Sequence, residues 1–90
     1  MGNSVYTKLI DFFIENDRTH WSMSELTQAN VGYSTLKLVL PKLLENGLIV
    51  INEQYGKIKL YKINKENIIV KKIYILYNEI NKQEIIKNLI

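Results

Sequence analysis

Apolar residues recur along this chain first at helical spacing, then at strand spacing, then at helical spacing again, and the changes of period divide it into segments. In the first segment Val5, Leu9, Phe12 and Phe13 form one stripe, with Lys8, Asp11 and Glu15 opposite. That predicts an amphipathic helix, capped by Ser4 or Asn3 and ended by the polar run Asn16 to His20. The stretch WSMSEL then carries a complete helix start. Ser22 and Glu25 have the spacing of a capping box, and Trp21 and Leu26 that of a hydrophobic staple. A short helix from about Met23 to Ala29 should follow. The turn Asn30-Val31-Gly32 closes it, with Asn30 and Gly32 able to take backbone angles that other residues avoid.

The next segment, GYSTLKLVLPKLLENGLIV, returns Leu36, Leu40 and Leu43 to one face with Val39 beside them. Ser34, Leu38, Pro41 and Glu45 point the other way, with Lys37 and Lys42 on the flanks. Asn46-Gly47 is a stop signal, with Gly47 in the left-handed conformation and Leu48 packing back onto Leu43. Pro41 removes a backbone donor and crowds the carbonyl of Lys37, a cost of about 3 kcal/mol in a helix interior. The apolar face nevertheless stays in phase across it. One helix kinked at Pro41, with the proline ring in solvent, is the expectation; a helix that ends near Leu40 and resumes as a separate turn is the alternative.

After Gly47 the period becomes two. LIVINE and KIKLYKI, joined at Gln54 to Gly56, predict a β-hairpin with Ile58 and Leu60 on one face and Lys57 and Lys59 on the other. Asn64 or Asn67 then caps a last helix, whose stripe of Ile69, Ile73, Leu76 and Ile80 is widened by Ile68, Tyr74, Ile75 and Tyr77. Ile85, Ile86, Leu89 and Ile90 extend the apolar surface. So much apolar area calls for a second surface, and self-association across Ile69, Ile73, Leu76, Tyr77 and Ile80 is the economical arrangement.

Composition narrows the chemistry. Ninety residues suffice for one small domain. With no Cys and a single histidine, His20, neither a disulfide scaffold nor the usual metal site is available. No nucleophile–His–acid set and no GxxxxGK[ST] loop are present, so a non-enzyme without cofactor or metal is expected. Charges interrupt every apolar run, and MGNSVYTKLI lacks the form of a secretion signal, which points to a soluble cytoplasmic protein with no membrane partner. The net charge of +3 is unevenly placed. Between Gly32 and Ile63, Lys37, Lys42, Lys57, Lys59 and Lys62 outnumber Glu45 and Glu53 by three, while the other seven basic and seven acidic residues cancel. Scattered surface lysines do not predict that concentration, whereas an anionic partner does.

Helix, capped short helix, tight turn, longer helix, basic hairpin and helix is an order that resembles the winged helix-turn-helix DNA-binding proteins, in particular small PadR-like and archaeal-type homodimeric members. SELTQANVGYSTLKLVLPKLLENGLI followed by YGKIKLYKI carries the resemblance, over roughly Trp21 to Ile63. The chain departs from that family in having Pro41 in the third helix and no arginine in that helix or the hairpin. The resemblance implies an α+β fold in which residues 1–63 form the winged helix-turn-helix domain and residues 64–90 a C-terminal dimerisation helix. It implies a homodimer on double-stranded DNA, a transcription regulator with helix 33–46 in the major groove and the lysine-bearing wing on the backbone. The expected contacts are Tyr33, Ser34, Thr35, Lys37, Leu38 and Lys42 from the helix, and Gln54, Tyr55, Lys57 and Lys59 from the wing. Leu38 reads either as a contact to a thymine methyl or as an ordinary surface leucine. A plasmid, viral or archaeal partition or architectural protein that coats DNA is the alternative role. So is a winged helix that docks a protein partner through its C-terminal helix.

Overall fold

The computed structural model describes the backbone of residues 4–89 and the side chains of residues 4–80. The side chains of Asn3, Ile85, Ile86, Leu89 and Ile90, which carried expectations above, lie outside the described residues. The fold is α+β. Its elements are α1 (Val5–Glu15), β1 (Trp21–Ser22), α2 (Met23–Leu26) running into a 3₁₀ turn (Thr27–Ala29), α3 (Tyr33–Glu45), β2 (Ile49–Tyr55), β3 (Ile58–Ile63) and α4 (Ile68–Leu89). The strands form one antiparallel sheet in the order β1-β3-β2.

Local chemistry accounts for most boundaries. Ser4 caps α1 by accepting from the N–H of Thr7 at 3.1 Å. At α2 the capping box is complete: the Glu25 N–H donates to Ser22 Oγ at 3.2 Å, and the Ser22 N–H donates to the Glu25 carboxylate at 2.9 Å. Asn30 takes the left-handed conformation at φ 63°, as expected for that turn. Gly32 does not. Its φ of −65° is open to any residue, so the expectation of a special backbone there is corrected. Helix α3 ends in a Schellman motif, in which Gly47 at φ 71° donates to the Leu44 carbonyl and Leu48 to that of Leu43, both at 3.0 Å. Pro41 lies within α3, exposed, and the helix runs through it to Glu45. The alternative of a helix ending near Leu40 is thereby excluded.

The core draws on every helix and on the sheet. Leu9, Phe13 and Ile14 of α1, Leu26, Val31, the α3 face of Leu36, Val39, Leu40 and Leu43, then Ile49, Tyr61, Ile63 and Val70 are all buried. Full burial of one leucine is worth about 2 kcal/mol, so the four-residue face of α3 is the main support of that helix against its uncapped start and internal proline.

The sheet moves the hairpin tip, gives Trp21 a further role and decides which of the two predicted faces of β3 is buried. Trp21 does more than precede a helix cap. It forms β1 opposite Tyr61 of β3, packs edge-on against Phe12 at 5.2 Å between ring centres, and donates its indole N–H to the Asn16 carbonyl at 3.2 Å. The hairpin tip is Gly56-Lys57 rather than Gln54 to Gly56, because Tyr55 still pairs with Ile58. Gly56 at φ 60° in the first position of this two-residue turn suits the type II′ geometry of tight hairpins. On β3, Tyr61 and Ile63 form the buried face, whereas Ile58 is 58% exposed. Lys57 and Lys59 therefore share the parity of the core face and continue it beyond the edge of the core. One further irregularity, a bulge between Ile51 and Glu53, frees Asn52, whose side-chain amide meets Nδ1 of His20 at 2.8 Å.

Candidate nucleic-acid interface

Because Leu36, Val39, Leu40 and Leu43 face the core, helical geometry turns Ser34, Lys37, Leu38, Pro41, Lys42 and Glu45 outward, and all six are exposed. Tyr33 at the start of α3 is half exposed, at 50%, and Thr35 is half-buried. Lys37 lies one turn after Tyr33, and its Nζ sits 5.3 Å from the centre of the Tyr33 ring. The ring's negative face attracts the ammonium, so the two side chains hold each other on this surface.

The pairing of β1 with β3 sets the second part of the site. Ser22 lies opposite Leu60, which brings the start of α2 beside Lys59. The hairpin turn carries Lys57 to the same side. A cleft of about 290 Å³ results, lined by Ser22, Met23 and Ser24 at the start of α2, Tyr33 of α3, and Lys57, Ile58, Lys59 and Tyr61 of the hairpin. Tyr61 is the buried member of this lining, and burial pushes its phenol above the ordinary pKa. At the α2 end the Glu25 carboxyl is held below its usual pKa, first by the Ser22 backbone N–H and then by the Ser22 hydroxyl. It remains a cap, ionised and engaged with the helix start.

The predicted contacts thus divide into three groups. Tyr33, Lys57 and Lys59 meet in the cleft. Ser34, Lys37, Leu38 and Lys42 form the adjoining outward face of α3, with Thr35 at its margin. Gln54 and Tyr55 are bound up in the hairpin itself. Gln54 Nε2 donates to the Gly56 carbonyl at 3.1 Å, and the Tyr55 hydroxyl donates to the Glu53 carboxylate, which raises the Tyr55 pKa. Ser22, Met23, Ser24, Ile58 and Tyr61 were not among the predicted contacts. The signal that would have found them is the Trp21–Tyr61 strand pairing, and a two-residue strand is too short to show a period.

On α4, Val70 is fully buried, and Ile73, Tyr74 and Tyr77 pack against the core. Of the five residues expected at a dimer contact, Ile69, Leu76 and Ile80 are 54%, 56% and 46% exposed, while Ile73 and Tyr77 are half-buried. A shallow, mainly apolar groove between α1 and α4 is lined by Tyr6, Thr7, Ile10, Asp11, Ile73, Leu76 and Tyr77. Among the described residues no helix is long and apolar enough to cross a membrane. No protein-family model matches this chain, nor does any curated protein or any solved structure.

Proposed function

We propose that this protein is a winged helix-turn-helix DNA-binding protein that acts as a homodimeric transcription regulator. In this reading α3 enters the major groove, and the β2–β3 hairpin is the wing that follows the adjacent backbone. The observation that carries the reading is the meeting of Tyr33 with Lys57 and Lys59 in one cleft, beside the exposed face of α3, within the segment that holds the chain's whole charge excess. Lysines neutralise phosphates as compact point charges, so Lys37, Lys42, Lys57 and Lys59 supply attraction and register more than base readout. The thirteen residues of α3 span about 20 Å, enough to lie across a groove about 12 Å wide. A second copy docks on the exposed side of α4, which removes Ile69, Leu76 and Ile80 from water and provides two α3 helices for a two-fold site.

The test is fluorescence anisotropy of a labelled mixed-sequence duplex across a salt series. Four lysines on phosphates predict a log–log slope of about −3.6 per protomer. Absence of binding at low salt would sink the reading. With binding in hand, footprinting distinguishes the roles: protection that stays at one operator supports a regulator, and protection that spreads outward from it favours a coating protein.

A further inference from the structure

The outward face of α3 is short of the groups that usually read bases. From Tyr33 to Glu45 the helix contains no arginine, asparagine or glutamine, so the planar forks that pair with guanine and adenine edges are missing. Of its two lysines, Lys37 is drawn over the Tyr33 ring and Lys42 lies past the proline. Ser34 offers a hydroxyl, which accepts partners of either kind and discriminates weakly. What remains at the centre of this face is Leu38. It is 71% exposed, more than any other large apolar side chain among the described residues. Ser34 and Pro41 lie one turn to either side of it, with Lys37 and Lys42 flanking.

A lone surface leucine asks for no explanation in general. Leu38 differs because of its setting: it is the most exposed apolar side chain of a helix surface flanked by Lys37 and Lys42, within the segment that holds the charge excess of the chain. A partner that meets this surface must offer dense negative charge around a small apolar group. The major groove of duplex DNA does so at thymine, whose C5 methyl is the apolar group on the floor of the groove between two rows of phosphates.

We infer that Leu38 is a specificity residue that reads thymine C5 methyl groups, so that the protein prefers sites by their thymine methyls rather than by guanine contacts. This rests on the DNA-binding reading above. On contact, Leu38 and the methyl leave water together, and a base without the methyl forfeits that burial. Pro41 supports the arrangement, since its compact ring follows Leu38 on the same face without adding a polar group that would need a partner.

The experiment replaces thymine by deoxyuridine, which removes the methyl and leaves base pairing and charge unchanged. A preferred duplex is first selected from a random pool with the full-length protein, and each thymine in one half-site is then replaced in turn. At the contacted position the wild type should lose about fourfold in affinity, the equivalent of one buried methyl. Leu38→Ala should bind more weakly on the thymine duplex and show no further loss on the deoxyuridine duplex. Leu38 is 71% exposed and outside the core cluster, and alanine favours helices, so a circular dichroism melt of the variant should match the wild type. A wild type indifferent to deoxyuridine at every position overturns the inference, and so does a Leu38→Ala variant that keeps the fourfold sensitivity. Failure to bind any duplex at low salt removes the DNA-binding reading itself, an outcome distinct from binding without methyl sensitivity.

Discussion

Asn67 joins the end of α3 to the start of α4: its side-chain amide donates to the Gly47 carbonyl at 3.1 Å, while its side-chain oxygen accepts from the N–H groups of Ile69 at 2.8 Å and Val70 at 3.2 Å. Asn64 reinforces the joint, donating to the same Gly47 carbonyl at 2.7 Å. One asparagine therefore caps the last helix and ties down the Schellman turn, and this sets where α4 leaves the domain. Removing it in Asn67→Ala should cost about 1–2 kcal/mol in urea unfolding, the usual loss for an N-cap that also satisfies a second group. Gly47→Ala should cost about 1 kcal/mol, because φ 71° disfavours a Cβ that would also meet Asn67 Nδ2 at 3.4 Å.

Leu36 is fully buried at the centre of the α3 face. Leu36→Ala should lower the unfolding free energy by about 2–5 kcal/mol, a large share for a domain of this size. A urea midpoint close to wild type would mean that α3 does not seat in the core as described.

Gly32 opens α3 without a side-chain cap, at a φ any residue adopts, and a Cβ there meets nothing within 4 Å. Gly32→Ser should stabilise the protein by about 0.5–1 kcal/mol, through a new cap and a less flexible unfolded chain. Thermal melting of the two proteins decides the sign.

Asp17, Tyr74 and Lys65 make stability depend on pH at both extremes. The Tyr74 hydroxyl donates to Asp17 Oδ2 at 2.7 Å, and Lys65 Nζ lies 3.2 Å from the same oxygen. The Asp17 carboxyl is held below its ordinary 3.8, chiefly by the Tyr74 hydrogen bond and further by Lys65, against the opposing effect of burial. Its contribution is present above 3.8 and is lost as pH falls through the lower folded value. Tyr74 is raised above its ordinary 10, first by burial and then by its bond to Asp17, so its contribution is complete below pH 10 and is lost as pH rises beyond that. Urea midpoints of wild type and Tyr74→Phe should differ most at neutral pH. The gap should narrow below pH 3.8, and the alkaline loss that begins above pH 10 should diminish in the variant.

Lys57 and Lys59 are exposed and lie outside the buried core. Lys57→Gln with Lys59→Gln should leave the melting curve in place and reduce the magnitude of the salt slope for duplex binding by about 2 per protomer. An unchanged slope would take the hairpin out of the interface.

Much of this molecule was legible because its causes are local. The capping box of Ser22 and Glu25 and the stop at Gly47 depend on partners within one or two turns, and the apolar face of Leu36, Val39, Leu40 and Leu43 shows in its own helical spacing. The continuity of α3 through Pro41 was also readable, since the apolar face holds its phase on both sides. What only the tertiary structure decided rests on residues far apart in sequence. Trp21 becomes a strand because Tyr61, forty positions on, offers it an edge, and two residues are too few to show a period. The same edge makes Tyr61 and Ile63 the inner face of β3, which turns Lys57 and Lys59 toward Tyr33. The side of α4 that faces inward follows from Asn67 on Gly47 and Tyr74 on Asp17, since apolar residues on several sides of that helix give its own pattern no single direction. Side-chain period fixes a face when only one face is apolar; where two are, the long-range hydrogen bonds choose between them.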